Sequence, residues 1–104
     1  MESLLFKVKT KLFGVDDIVQ LAVRFDGGWH HLTVREGDDG RTARIDIPDE
    51  VQSVDVVVQA NGPAFGTVKV TCRVPSGSIL PVANFTIAAD EANISTRASW
   101  TLRW

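Results

Sequence analysis

The sequence contains a single cysteine, Cys72, so an internal disulfide is excluded. No apolar run approaches the roughly 20 residues that a membrane-spanning helix requires, and the longest, around residues 54–58, is interrupted by Asp55. The first residues lack the apolar stretch and small-residue cleavage site of a signal peptide. These absences predict a cytoplasmic protein. A secreted protein is the alternative, if a signal peptide has been removed.

The chain also lacks an excess of positive charge. It has 11 Lys and Arg against 13 Asp and Glu, for a net charge of −2, so its overall charge does not favour binding to nucleic acid. At 104 residues, without an internal repeat or a linker, the sequence predicts one domain over residues 1–104.

The sequence does have period-two alternation, in short runs separated by Gly, Asp, Asn and Pro. Such alternation is typical of β-strands with one buried face. It is clearest over residues 94–104, 67–74 and 4–13. Four further candidate strands lie at residues 29–35, 41–47, 51–60 and 78–88, and Pro81 in the last indicates an edge strand or a bulge.

Residues 15–25 fit a strand, with Val19, Leu21 and Val23 inward, and also fit an amphipathic helix. The valine content favours the strand. A short helical turn is a further possibility at residues 88–93. The spacing predicts an all-β domain, an antiparallel β-sandwich of seven or eight strands with Ig-like or C2-like architecture, and a small barrel is the alternative.

If each strand crosses the sandwich, alternate loops meet at the same end. One end would then gather seven carboxylates: Asp16, Asp17, Glu36, Asp38, Asp39, Asp90 and Glu91. Calcium prefers six to eight oxygen ligands, so these loops could form a calcium site in a glycan- or lipid-binding module. The competing interpretation is that turns favour these residues and that solvent accepts them.

Basic residues occupy the outward positions of three predicted strands: Lys7, Lys9, Lys11, Lys69, Arg73, Arg97 and Arg103. If these strands share one sheet, its outer face would be a basic plane for anionic glycans, acidic proteins or nucleic acid. No aromatic residues are interleaved with them, so single-stranded nucleic acid is not an expected partner.

Catalytic chemistry finds little support in the motifs. Adjacent strand residues point to opposite faces, so His30 and His31 do not readily share a metal. There is no Gly-x-Ser-x-Gly elbow and no Cys–His pattern, and Cys72 falls on an apolar face. We therefore expect no enzyme; a small enzyme pairing His30 or His31 with a loop carboxylate is the alternative.

Four residues are candidate contacts for a partner. Trp29 and His31 fall on the solvent side of one strand, Phe65 lies at the tip of a turn, and Trp104 is the terminal residue. Interfaces are enriched in aromatic side chains. The sequence thus predicts a non-catalytic binding module, for protein–protein association or self-assembly, with the calcium-dependent module and the small enzyme as alternatives.

Overall fold

The computed structural model describes residues 2–14, 17–37, 40–92 and 94–104. These ranges contain nine β-strands and one short 3-10 helix, Ala89–Glu91. The strands are β1 (Glu2–Lys11), β2 (Ile18–Phe25), β3 (Gly28–Leu32), β4 (Arg35–Gly37), β5 (Gly40–Ile47), β6 (Ser53–Asn61), β7 (Thr67–Arg73), β8 (Ile79–Thr86) and β9 (Ser95–Arg103).

The strands form two antiparallel sheets, one with the order β4-β5-β1-β7-β8 and one with the order β3-β2-β6-β9. The predicted sandwich is confirmed. The ninth strand arises because residues 35–37 pair separately with β5, although the sequence pattern joined Arg35 to the preceding strand. The possible helical turn near residues 88–93 is present as the 3-10 helix.

The core lies between the sheets and is made from the alternate residues of each strand. In β1, Leu4, Phe6 and Val8 are buried, while Leu5 and Lys7 are exposed. Burying such apolar side chains contributes roughly 1.5–3 kcal/mol each. Because a one-residue slip would bring the outward lysines into the core, this alternation fixes the register.

The ambiguous segment at residues 15–25 is a strand from Ile18 onward. Val19, Leu21 and Val23 are buried, and β2 pairs with β6 along Ile18–Arg24. A helical stripe would have left the adjacent edge of β6 without a backbone partner, and the ladder satisfies those groups instead.

The sheet edges are protected unequally. Pro81 lies in edge strand β8, and the pairing of β7 with β8 shifts register beside it, between Val70 and Thr71, so both structural roles predicted for Pro81 are present. Strand β4 is three residues long. Strand β9 is also an edge strand; it is nine residues long and has neither proline nor a register shift in its pairing with β6.

In the ranges above, no helix is long and apolar enough to cross a membrane. The compartment predicted from the sequence stays a prediction.

Candidate functional site

Three connections meet at one end of the sandwich, which we call the loop end: residues 12–14 and 17 after β1, residues 62–66 after β6, and residues 87–92 and 94 before β9. The registers bring them together, because Lys11 lies opposite Thr67 and Asn61 lies opposite both Ile18 and Ser95. Phe65 and Ile87 tie two of the connections, since the Phe65 N–H donates to the Ile87 carbonyl oxygen at 2.8 Å.

The Phe13 ring fills the centre of the loop end. A Cβ atom added to Gly62 would lie 2.7 Å from the ring, and one added to Gly66 would lie 2.9 Å from it. Both positions therefore need glycine for close approach. The guanidinium of Arg41 lies 6.0 Å from the centre of the same ring, so the ring also forms a cation–π contact with β5.

Large apolar side chains of these three connections, with Ile18 at the start of β2, remain in solvent. Their exposed fractions are 71% for Leu12, 65% for Phe65, 59% for Ile94 and 52% for Ile18. We call these four residues the apolar rim. Single exposed apolar residues are ordinary on protein surfaces, but a group of them at one place marks an interaction site.

Two residues of the apolar rim hold an unfavourable backbone conformation. Leu12 has a φ of 67° and Phe65 a φ of 63°, in the left-handed region that costs residues with a Cβ atom roughly 1–2 kcal/mol each. Glycine or asparagine would be favoured there on stability alone. Bulky apolar residues that are strained and yet exposed indicate a function for their side chains.

Three of the described carboxylates at or beside the loop end form a hydrogen bond or an ion pair with a nearby residue. Asp17 accepts a hydrogen bond from the Gly14 N–H at 2.6 Å, Glu36 pairs with Arg41 at 3.0 Å, and Glu91 accepts one from Thr96 at 3.3 Å. Asp90 is exposed. Glu36 is neutralised by Arg41, whereas Asp17, Asp90 and Glu91 contribute negative charge to the loop end.

The structure leaves the calcium site as a prediction. Among the described residues, no group of three or more His, Cys, Asp or Glu side chains could hold a metal ion. Three of the seven predicted ligands, Asp16, Asp38 and Asp39, lie outside the described residues.

The outer face of the five-stranded sheet, which we call the basic face, has the opposite charge. Alternation and register place one carboxylate, Asp46, on the described part of this face. They also place seven cations there: Lys7, Lys9, Lys11, Lys69, Arg35, Arg44 and Arg73. The basic plane suggested by the sequence is thus divided, because Arg97 and Arg103 belong to β9 in the other sheet.

The basic face has an apolar depression near the opposite end of β1 from Lys11. Leu5 lies opposite Arg73, which lies opposite Ile79. Leu5 is 39% exposed and Ile79 is 61% exposed. With Lys7, Thr42, Thr71 and Arg73 they line a depression of about 200 Å³, which we call the Leu5–Ile79 depression.

The outer face of the four-stranded sheet carries two of the predicted contacts, Trp29 and His31, both exposed on β3. The Arg24 guanidinium lies 5.3 Å from the centre of the Trp29 ring. Asp55 accepts hydrogen bonds from Arg24 at 2.6 Å and from Thr101 at 3.0 Å. These hydrogen bonds, that of Arg24 first, lower the pKa of Asp55 below its usual 3.8.

The side chains of Arg24, Asp55 and Thr101 line an open trough of about 470 Å³ on the outer face of the sheet, and Val57 and Ser99 line it as well. The polar groups of Arg24, Asp55 and Thr101 form hydrogen bonds with one another across neighbouring strands. Their role is therefore to connect the strands and not to bind a ligand. Each such pair contributes a fraction of a kcal/mol to the sheet.

The remaining predicted contact, Trp104, is half-buried. Its ring packs against the hydrophobic core, and its backbone N–H donates to the Gln52 carbonyl oxygen at 3.1 Å. Its role as a partner contact stays a prediction.

Leu5 and Ile79 were not among the predicted contacts, because alternation shows that Leu5 points outward but not which exposed residues become its neighbours. Leu12 falls on the inward side of the alternation over residues 4–13, together with Phe6 and Val8. That expectation is wrong: Leu12 is 71% exposed, because β1 ends at Lys11 and the φ of 67° at Leu12 breaks the strand geometry.

The described residues offer little for nucleophilic catalysis. Burial raises the pKa of the Cys72 thiol to about 12, so it is protonated and unreactive at neutral pH. The His30 ring stacks on the Phe25 ring with ring centres 4.4 Å apart and is exposed to solvent. The Phe25 ring covers one side of the His30 ring.

Comparison of the chain with protein-family models, with curated proteins and with solved structures finds no match.

Proposed function

We propose that the protein is a non-catalytic association module that binds a second copy of itself through the apolar rim of the loop end. The observation that carries this proposal is the conformation of Phe65, a large side chain held exposed at a φ of 63°. Selection for stability alone would remove both the strain and the exposed ring.

The chemistry of the other surfaces supports a binding role over a catalytic one. The Cys72 thiol is buried and protonated, and Asp55 is already engaged by Arg24 and Thr101. Neither group is available as a nucleophile or base with a substrate beside it.

The rim contains one aromatic residue, Phe65, among three exposed aliphatic residues. Aromatic residues are enriched at interfaces, and truncation of a buried anchor can cost ~2 kcal/mol or more. Phe65 is 65% exposed, so its ring is available to a partner. Leu12 stands one residue from Phe13, whose ring contacts the Gly66 position next to Phe65.

The test is the mass of the protein in solution, measured by sedimentation velocity over the micromolar range. The wild type should show a mass that rises with concentration. Phe65→Gly should remain monomeric until the concentration is more than about tenfold higher, since ~1.4 kcal/mol corresponds to a factor of ten in affinity.

The matched control is Phe65→Tyr, which keeps the ring and the backbone conformation and should associate like the wild type. A wild type that stays monomeric throughout the range would contradict the proposal. Equal association of the wild type and Phe65→Gly would show that the apolar rim is not the binding surface.

A further inference from the structure

We propose that the surface receiving the apolar rim is the Leu5–Ile79 depression on the basic face of the next copy, with Phe65 in the depression. This inference rests on the proposed self-association and names the second half of the contact. It makes the assembly head-to-tail.

Charge disfavours the simplest alternative, in which two loop ends meet. Asp17, Asp90 and Glu91 would then be brought towards the same carboxylates of the second copy, and Arg41, which lines a depression with Asp17, is already paired with Glu36. Like charges brought together across an interface are strongly unfavourable. The loop end therefore requires a partner surface that is positive.

The basic face is the positive surface of this molecule. It carries all four lysines of the chain, whereas nine of the ten described carboxylates lie elsewhere. All four lysines are exposed, so they can meet carboxylates of another molecule.

The arrangement of the lysines is unfavourable within one molecule. Lys9 lies directly opposite Lys69, and like charges in that position destabilise a sheet. Lys7 and Lys11 lie two residues to either side of Lys9 on the same strand. A negatively charged ligand on this face would relieve the repulsion.

The depression fits an aromatic side chain. Leu5 and Ile79 form apolar walls, and Lys7 and Arg73 stand at its border. A phenyl ring entering it would cover exposed apolar surface on both partners and would meet two cations, which are attracted to the face of an aromatic ring.

The two halves of the contact are far apart on one molecule. Leu5 and Lys11 are six residues apart on β1, or roughly 20 Å at the rise of a strand, and the loop end begins beyond Lys11. A molecule can therefore use its rim and its depression at once with two neighbours. Such a heterologous contact produces rings or open filaments and is not restricted to dimers.

The experiment uses two full-length variants, each lacking one half of the contact. Phe65→Gly removes the ring. Lys7→Glu with Arg73→Glu reverses the border of the depression at two exposed positions. Each variant alone should be monomeric where the wild type is assembled. The double control Arg97→Glu with Arg103→Glu makes the same charge change on exposed positions of the other sheet and should assemble like the wild type.

Mixing the two defective variants distinguishes the arrangement of the contact. The intact Phe65 of one variant should enter the intact depression of the other and give a 1:1 complex that grows no further, although neither variant associates alone. A mixture that remains monomeric would overturn the head-to-tail contact, as would a basic-face variant that assembles normally. Thermal unfolding of each variant shows that it is folded.

Failure of the inference is distinguishable from failure of the proposed function. A monomeric wild type contradicts both. A wild type that associates while Lys7→Glu with Arg73→Glu also associates contradicts only the inference. If that variant at the same time loses binding to heparin, the basic face is a site for sulfated polysaccharide and not for a second copy.

Discussion

The backbone of Phe65 allows stability and association to be separated at a single residue. Phe65→Gly relieves the left-handed conformation and removes an exposed ring, so it should raise the free energy of unfolding by about 1 kcal/mol. Urea unfolding at a protein concentration below self-association measures this directly. Phe65→Ala is the control, since it removes the ring but keeps the Cβ atom and should gain little. Destabilisation by Phe65→Gly would mean that the ring packs within the monomer.

Single residues were also where the sequence was least informative. The turn Asn61-Gly62-Pro63 predicts a loop but not the φ of Phe65. That angle accompanies two hydrogen bonds between distant segments, from the Phe65 N–H to the Ile87 carbonyl oxygen and from the Ile87 N–H to the Gly66 carbonyl oxygen. Trp104 was a candidate contact because a terminal residue is hard to bury. The hydrogen bond from its backbone N–H to the Gln52 carbonyl oxygen fixes the terminus, and the ring packs partly against the core.

At the scale of elements, the Phe13 ring joins the connection after β1 to the connection after β6. Gly62→Ala would place a Cβ atom 2.7 Å from the ring, and this overpacking should cost roughly 1–3 kcal/mol. Gly14→Ala is a matched control, because its added Cβ would lie 3.6 Å from the nearest atom, the Oδ2 of Asp17. Thermal unfolding compares the two. Equal losses would show that the Phe13 ring moves aside without cost.

The strands themselves were predictable because alternation reports burial directly. The alternation over residues 67–74 predicts one apolar face, and its residues Val68, Val70 and Cys72 are all buried. The pairing of strands was not predictable: β1 lies between β5 and β7, and no local pattern in β1 specifies partners so distant along the chain. For that reason the sequence could suggest a basic plane but could not show that β9 belongs to the other sheet.

At the scale of the molecule, the two signs of charge are segregated. The basic face holds seven cations against Asp46, and the loop end is acidic. Self-association should therefore weaken as salt is added, since the screening length falls from about 8 Å at physiological ionic strength to about 3 Å at 1 M. Sedimentation velocity at the two salt concentrations measures the shift. If self-association strengthens at 1 M salt, apolar contacts of the rim dominate the interface and charge pairing does not contribute to it.

The long edge of β9 determines how this sandwich would aggregate when partly unfolded. Its backbone presents unpaired donors and acceptors along one side, and it lacks the proline and register shift that protect β8. Such an edge is a template for the strand of another chain. Strand addition there would lead to cross-β fibrils, in which identical strands stack by backbone hydrogen bonds. Those fibrils would be irreversible and insensitive to salt.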